Sequence, residues 1–304
     1  MTPGRAIIGL ACLAPIAGLF PLSAADTAAA IMALRTRIES QAVGGPGIHS
    51  VAFRDFQTDE SIFIHADDRT HAASLMKLPV MMAAFELAGR GELDLAQPVL
   101  VRDVFRSIVG GEPFTVPIEP TSPLYPRKGQ RMPLLDLIGA MITRSDNTAT
   151  NLVIELTGAA RVHDLVRRLG TRNTKILRGV EDNAAYEAGM SNETSAADML
   201  TLLAACRESP LFTAAGREEM MAILRRQEHR SMIAQGIPAG SGAIVANKTG
   251  SISWVEHDAG IVDLPGGRSY GIDIMTHDFA DKRDEATRTG AAISRSIYEH
   301  VSSR

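Results

Sequence analysis

Ser74 and Lys77 lie three residues apart at the head of an apolar run, and together they could carry out nucleophilic catalysis. If the run from Leu75 onward is helical, their side chains are neighbours about one turn apart. A serine hydroxyl is a weak nucleophile until an adjacent base takes its proton. Lys77 can act as that base if burial keeps part of its amine neutral. The alternative is that the two residues are structural: Ser74 would cap the helix and Lys77 would point to solvent, with the same spacing.

Two tripeptides later in the chain carry related groups, Ser145-Asp146-Asn147 and Lys248-Thr249-Gly250. The chain has only five lysines against 26 arginines, yet two of the five, Lys77 and Lys248, belong to the three motifs. With 20 serines in the chain as well, all three patterns would arise together by chance with a probability on the order of 10⁻⁴. We therefore interpret the three motifs as parts of one site.

Apolar periodicity predicts the elements that position these motifs. The chain is expected to begin with an amphipathic helix over residues 27–41, followed by a hairpin with strands at 48–53 and 61–65. The helix that carries the first motif is expected from Leu75 to about Ala88. Further helices are predicted over residues 133–143, 147–156, 160–169, 195–207 and 213–227.

Two stretches of the middle region lack periodicity. Residues 108–131 are rich in Gly and Pro and are expected to form a long irregular connection, and residues 178–194 form a second irregular loop. Long loops inside compact domains are often functional. The Ser145 motif falls at a break between two predicted helices, where one of its side chains could cap the second helix.

Three strand-like runs, at residues 244–248, 256–264 and 271–276, precede a closing helix over residues 284–300. The sequence therefore predicts one catalytic unit over residues 26–304 with a two-lobed fold, α/β plus all-α. Its antiparallel sheet, flanked by the terminal helices, would come from about residues 26–73 and 230–304. A helical lobe of about residues 74–229 would be inserted, and a small molecule would bind in the cleft between the lobes.

The three motifs, in this order, resemble those of the class A serine β-lactamases and their penicillin-binding-protein relatives. The resemblance spans about residues 30–300 and implies a β-lactamase/transpeptidase-like fold. It also implies that Ser74 attacks the lactam carbonyl while Lys77 takes or relays its proton. Ser145 would then pass a proton between the two lysines and the departing nitrogen.

The same resemblance assigns the substrate-binding groups. Asn147 would bind the side-chain amide of the substrate, and Lys248 with Thr249 would face its carboxylate. Gly250 would permit close approach of the backbone. The backbone amides of Ser74 and Ser251 would form the oxyanion hole.

One position departs from the class A pattern. Class A enzymes carry a glutamate in a Glu-x-x-Leu-Asn motif, where it activates the deacylating water. Here Glu181 lies 36 positions after Ser145, close to the family's spacing, but Asp182-Asn183-Ala184-Ala185 follows it. We expect Glu181 to be the base, with Asp182 as a second candidate. An ordinary loop carboxylate at Glu181 is the alternative.

Composition and the N-terminal pattern restrict partners and location. A net charge of −4 and only 5% aromatic residues argue against nucleic acid as a partner. Residues 1–25 resemble a secretory signal, with Arg5, an apolar run and a small-residue cleavage site ending near Ala25. We expect a periplasmic or secreted protein without a stable membrane anchor, although a retained N-terminal anchor would share this pattern.

The remaining titratable residues give little sign of further chemistry. No Cys/His cluster has metal-ligand spacing, so we expect neither a metal nor a cofactor, and we expect a monomer. Cys206 falls in an apolar pattern that is typical of a buried structural thiol. His257 and Asp258 are adjacent on a predicted strand, so they point to opposite faces and cannot form a Ser-His-Asp relay with each other. Trp254 is expected to pack beside the site.

The sequence thus predicts an exported serine hydrolase that opens β-lactams through an acyl-enzyme on Ser74. The first alternative is a penicillin-binding-protein-like D-alanyl peptidase, or an esterase, that β-lactams acylate but that deacylates slowly. A β-lactam sensor or binding module is a third possibility. A competent base within residues 178–194 would separate the lactamase from the first alternative.

Overall fold

A computed structural model describes residues 24–304. The N-terminal part contains α1 (Ala24–Gly44), β1 (Ile48–Asp55), β2 (Ser61–Ile64), β3 (Thr70–His71), a 3₁₀ turn (Ala73–Met76) and α2 (Lys77–Gly89). The middle contains β4 (Pro98–Leu100), β5 (Val104–Arg106), β6 (Pro113–Thr115), a 3₁₀ turn (Tyr125–Arg127), β7 (Arg131–Pro133), α3 (Leu134–Thr143), α4 (Asn147–Thr157) and α5 (Ala159–Arg168). The remainder contains α6 (Asn183–Glu187), β8 (Glu193–Thr194), α7 (Ala196–Glu208), α8 (Ala214–Arg225), α9 (Met232–Gly236), β9 (Ile244–Ile252), β10 (Val255–Asp263), β11 (Ser269–His277) and α10 (Arg283–Ser302).

Five strands form one antiparallel sheet in the order β2-β1-β11-β10-β9. Strands from both ends of the chain therefore share the sheet, as the sequence predicts. Side chains alternate between its faces. One face packs against α1, α9 and α10 through a core that includes Ile38, Phe53 and Ile297, and the other faces the helical block.

The helix that begins at Lys77 lies at the centre of the helical block. Every residue of α2 from Lys77 to Leu87 is buried, as expected for a helix that is apolar on all sides. It packs against α3, α4, α5, α7 and α8. An α/β part thus adjoins an inserted helical part, which is the two-lobed fold expected from the sequence.

The structure corrects the prediction at four places. The loop over residues 178–194 is not wholly irregular, because it contains α6 and ends in β8, which pairs with β3. The connection over residues 108–131 is not wholly irregular, because β5 pairs with β6 and β7 pairs with β4, both outside the main sheet. The first motif begins in a 3₁₀ turn rather than in an α-helix. The strand predicted to end at Lys248 continues to Ile252, because residues as far as Ile252 pair with β10.

The predicted signal peptide, residues 1–25, lies outside the described residues except for the backbone of Ala24 and Ala25, which starts α1. Within residues 24–304, the helices are too short or too polar to cross a bilayer.

Candidate active site

Ser74 lies in the 3₁₀ turn that precedes α2, and strand β9 runs directly beside this turn. A Cβ placed on Gly250 would lie 3.0 Å from the backbone nitrogen of Leu75 and 3.2 Å from that of Ser74. A larger residue at this position would therefore force the strand and the turn apart by a few tenths of an ångström. The close approach places Thr249 and Ser251 in the wall of a cavity that also contains Ser74.

The Lys77 amine is fully buried and donates to three acceptors. These are the Ser145 carbonyl oxygen at 2.5 Å, the Ser145 Oγ at 3.1 Å and the Asn147 Oδ1 at 2.7 Å. Burial lowers the pKa of Lys77 from 10.5 to about 7, although the charges of Asp146 and Glu181 oppose the shift. Near neutral pH, Lys77 is therefore divided between its acid and base forms.

Ser145 links the two motif lysines. Its Oγ lies 3.1 Å from the amine of Lys77 and 3.1 Å from the amine of Lys248. Lys248 is also fully buried and donates to the Thr249 carbonyl at 2.7 Å. Desolvation and the neighbouring Lys77 lower the pKa of Lys248 well below its usual value. A hydroxyl can accept from one amine while donating to the other, so the three groups can transmit a proton.

Helix capping holds Ser145 in this position. Asp146 is the N-cap of α4 and accepts from the Ala149 amide at 2.7 Å, while its other carboxylate oxygen accepts from the Ser122 hydroxyl. Ser145 itself has φ +57, a left-handed backbone conformation that is costly for a residue other than glycine. The capping role suggested by the sequence and the lysine bridge therefore coexist in one motif.

Asn147 connects Lys77 to Glu181. Its side-chain oxygen accepts from the Lys77 amine, and its Nδ2 donates to the Glu181 Oε1 at 2.8 Å. Glu181 also has a left-handed backbone, with φ +61, and lines a cavity with Ser74. The preceding Val180 is held on α4 by two hydrogen bonds with the Asn151 side chain, at 2.8 and 2.9 Å. The loop thus presents Glu181 on the same side of the site as the nucleophile.

Asp182 has a different environment from Glu181. It is buried and caps the short helix α6. Its carboxylate accepts from the Ser107 hydroxyl at 2.7 Å, the Ile108 amide at 3.0 Å and the Ala185 amide at 3.2 Å. These bonds tie residues 178–194 to the segment that follows β5. Asp182 therefore holds the loop, while Glu181 faces the cavity.

Two cavities meet at Ser74. One, of about 410 Å³, is lined by Glu181, Asn147 and the loop of residues 178–194. The other, of about 580 Å³, is lined by Ser145, Thr249 and three arginines, Arg144, Arg230 and Arg283. Asn147 and Ser251 line both cavities. A substrate that reaches Ser74 can therefore place one end against the loop that carries Arg178 and Glu181, and the other against the wall that carries the three arginines.

A profile of the Beta-lactamase enzyme family matches residues 33–301. The chain belongs to this family. The "Beta-lactamase" of Bacteroides uniformis is 26% identical over 283 residues, with 88% of this chain and 90% of the relative covered. The "Extended-spectrum beta-lactamase PER-1" of Pseudomonas aeruginosa is 26% identical over 300 residues, covering 91% of this chain and 89% of PER-1.

A solved structure of PBP-A has a similar fold. A PBP-A mutant in an acyl-enzyme complex with penicillin-G is 26% identical, with a TM-score of 0.75, and the match covers 90% of this chain and 97% of that one. The comparison agrees with the resemblance to β-lactamases and their penicillin-binding relatives.

In this member of the family, the sequence motifs do not point to every group at the site. Arg283, from the start of α10, donates to the Ser251 hydroxyl and to the Ile252 carbonyl, and pairs with Glu256 at 3.5 Å. Arg178 lines the smaller cavity and is 7% exposed. Neither arginine is in a motif, and no sequence pattern connects Arg283 with Ser251, 32 positions away.

The residues judged structural from the sequence have structural partners. His257 Nε2 lies 3.1 Å from the His71 carbonyl, whereas Asp258 accepts from the Ile233 amide at 2.9 Å and the Asn247 side chain at 2.7 Å. The two side chains thus serve different neighbours, as predicted for adjacent strand residues. Cys206 is buried, and burial raises the pKa of its thiol. Across residues 24–304, no three His, Cys, Asp or Glu side chains are grouped so that they could hold a metal ion.

Proposed function

We propose that this chain is an exported class A-type serine β-lactamase that opens the β-lactam ring through an acyl-enzyme on Ser74. The observation that carries the proposal is the hydroxyl of Ser145, which lies 3.1 Å from the amines of both Lys77 and Lys248 in the wall of a cavity that contains Ser74. Two buried amines with lowered pKa values, joined by one hydroxyl, are suited to general acid–base catalysis.

Acylation would begin with the neutral form of Lys77. Its amine takes the proton of the Ser74 hydroxyl as Oγ bonds to the lactam carbonyl carbon. The backbone amides of Ser74 and Ser251 stabilise the oxyanion, an interaction whose loss typically costs about 3–4 kcal/mol. As the C–N bond breaks, Ser145 donates its proton to the nitrogen and recovers one from a lysine.

Deacylation would use Glu181. Its carboxylate takes a proton from a water molecule as the water oxygen attacks the ester carbonyl. Ser74 Oγ then leaves and takes up that proton, which restores both the serine hydroxyl and the Glu181 carboxylate. The hydrogen bond from Asn147 and the exposure of Glu181 to the cavity support this role. The three hydrogen bonds received by Asp182 favour a holding role for that residue instead.

The larger cavity suits the carboxylate that most β-lactams carry. Lys248 and Thr249 would face this carboxylate, as the sequence motif suggests. Arg283, which reaches the Ser251 hydroxyl from α10, would add a third cationic or donor group. A charge-assisted hydrogen bond of this kind is roughly twice as strong as a neutral one.

Mass spectrometry of a quenched time course tests the proposal. Purified protein mixed with benzylpenicillin should gain one drug mass on the peptide that contains Ser74, and the label should turn over as penicilloate accumulates. Ser74→Ala should show neither labelling nor product. Labelling at another serine would overturn the assignment of the nucleophile.

A D-alanyl peptidase or esterase related to penicillin-binding proteins is the second candidate. It is favoured by the match to PBP-A, which has been captured as an acyl-enzyme with penicillin-G. In this case the unaltered protein would give one equivalent of label and little further product. Cleavage of a D-alanyl-D-alanine peptide would then exceed turnover of the drug. Stoichiometric labelling without either activity would indicate a sensor or binding module.

A further inference from the structure

Arg178 is a buried cation in the wall of the smaller cavity. Its side chain is only 7% exposed, yet it lines the same cavity as Ser74 and Glu181. Its Nε donates to the Met190 carbonyl at 2.9 Å and its Nη1 to the Gly179 carbonyl at 2.9 Å. Within residues 24–304, Nη2 has no hydrogen-bond acceptor. One end of the guanidinium is therefore left for a ligand.

Neutral acceptors alone do not balance a buried positive charge. Among the described residues, no carboxylate lies within ion-pair distance of Arg178, and the nearby charge of Asp182 only partly offsets the burial that lowers the pKa of its guanidinium. The neighbouring Asp182 already accepts from Ser107, Ile108 and Ala185. By contrast, the buried carboxylates of Asp55 and Glu86 pair with Arg268 and Arg168 at 2.6 and 2.9 Å. A buried charge is costly unless it is paired, so an incoming anion would be stabilised at Arg178.

Aromatic rings lie next to this cation. The Arg178 guanidinium carbon lies 5.2 Å from the centroid of the Tyr186 ring. The Tyr186 ring lies 6.3 Å from His71, and His71 lies 6.1 Å from Trp254, both in edge-to-face geometry. The wall thus offers the N–H donors of Arg178 Nη2 for a carboxylate, and ring faces and edges for an aryl group. His71 and Tyr186 line the cavity itself.

We propose that this wall is a subsite for acyl side chains that carry both an aromatic ring and a carboxylate, with Arg178 binding the carboxylate. The inference rests on the proposed function, because it takes the ligand to be a substrate that acylates Ser74. Glu181 lies in the same cavity and repels a second anion. The guanidinium is therefore what allows an anionic side chain to enter.

Three penicillins that differ only at the α-carbon of the side chain isolate this effect. Benzylpenicillin is neutral there, α-carboxybenzylpenicillin (carbenicillin) adds a carboxylate, and α-aminobenzylpenicillin (ampicillin) adds an ammonium group. The unaltered enzyme should have kcat/KM values that fall in the order carbenicillin, benzylpenicillin, ampicillin. A preference for ampicillin over carbenicillin would overturn the inference without any variant.

Arg178→Gln then tests the residue itself. The ratio of kcat/KM for carbenicillin to that for benzylpenicillin should fall by about 10-fold or more, because hydrogen bonds to charged groups are among the strongest. Arg178→Lys keeps the charge without the planar guanidinium, and its ratio should lie between those of the unaltered enzyme and Arg178→Gln. An unchanged ratio in a folded Arg178→Gln protein would show that Arg178 only holds the loop.

Asn151→Ala is the matched control for loop damage. It removes the two hydrogen bonds that hold Val180 and leaves Arg178 untouched. Both substrates should lose activity by similar factors, so the ratio should stay within about twofold of the unaltered value. If the ratio falls as far in Asn151→Ala as in Arg178→Gln, the effect is due to loop damage, and a direct contact between Arg178 and the carboxylate is contradicted. If the unaltered enzyme turns over none of the penicillins, the proposed function is wrong. If it turns them over but Arg178→Gln leaves the ratio unchanged, only the subsite proposal is wrong.

Discussion

At the residue scale, the pKa of Lys77 predicts the pH dependence of acylation. Burial lowers this pKa to about 7, and only the neutral amine can accept the Ser74 proton. The rate constant for acylation should therefore rise roughly tenfold per pH unit below about 7 and level off above it. Stopped-flow measurements with a chromogenic cephalosporin from pH 5 to 9 give the profile.

Lys77→Ala provides the control for this profile. The variant should acylate about 10²–10⁴-fold more slowly, because positioned proton transfer is lost, and its rate should lose the inflection near pH 7. If Lys77→Ala acylates at the parent rate and keeps the inflection, the titrating group is a different residue and Lys77 has only a structural role.

Glu181 allows a second prediction at this scale, because its replacement by glutamine keeps the acceptor for Asn147. Glu181→Gln should acylate normally but should accumulate the acyl-enzyme, with a burst and little steady turnover. Asp182→Asn should instead lower the melting temperature, since Ser107, Ile108 and Ala185 would share a weaker acceptor. Unchanged turnover in Glu181→Gln, with acyl-enzyme accumulating in Asp182→Asn, would reverse the two roles.

At the scale of elements, the contact between β9 and the Ser74 turn leaves little room for one added methyl group. A Cβ at Gly250 would lie 3.0 Å from a backbone nitrogen of the turn, so Gly250→Ala should push the edge strand outward. A displacement of about 1 Å can cost 10²-fold in rate. The shift needed here is only a few tenths of an ångström, so we expect acylation to slow by less, roughly threefold to tenfold, while the far-UV circular dichroism spectrum is retained.

Gly139→Ala gives the comparison for this change. Gly139 lies in α3, and a Cβ there would meet nothing within 4 Å. Alanine at an open helical position should leave acylation unchanged and raise the free energy of unfolding by about 0.5–1 kcal/mol. Parent-like acylation by Gly250→Ala would mean that the strand does not need this approach.

At the scale of the whole molecule, motifs and periodicity predicted the two-lobed fold and the grouping of Ser74, Lys77, Ser145 and Lys248. These residues could be predicted because each motif is a short contiguous segment, and the predicted helix or strand around it determines which way its side chains point. Arg178 and Arg283 were missed because neither belongs to a motif, and only the folded chain brings their side chains to the site. The short strands β4 to β7 were missed for a related reason. Each has three residues, too few to show alternation, and depends on a partner elsewhere in the chain.

The left-handed backbone at Ala73, Ser145 and Glu181 has a consequence for evolution and engineering. Each such residue lowers the free energy of unfolding by about 1–3 kcal/mol. The fold is therefore less stable than it could be, because these residues position the active site. Two adjacent alanines allow this loss of stability to be measured. Ala73 has φ +44 and Ala72 has φ −66, and both are buried. Ala73→Gly should retain at least about 1 kcal/mol more unfolding free energy than Ala72→Gly in urea titrations. Equal losses would mean that the backbone at Ala73 is not strained. Mutations in this turn would then give no gain in thermal stability, and selection for heat resistance would not reduce activity through this turn.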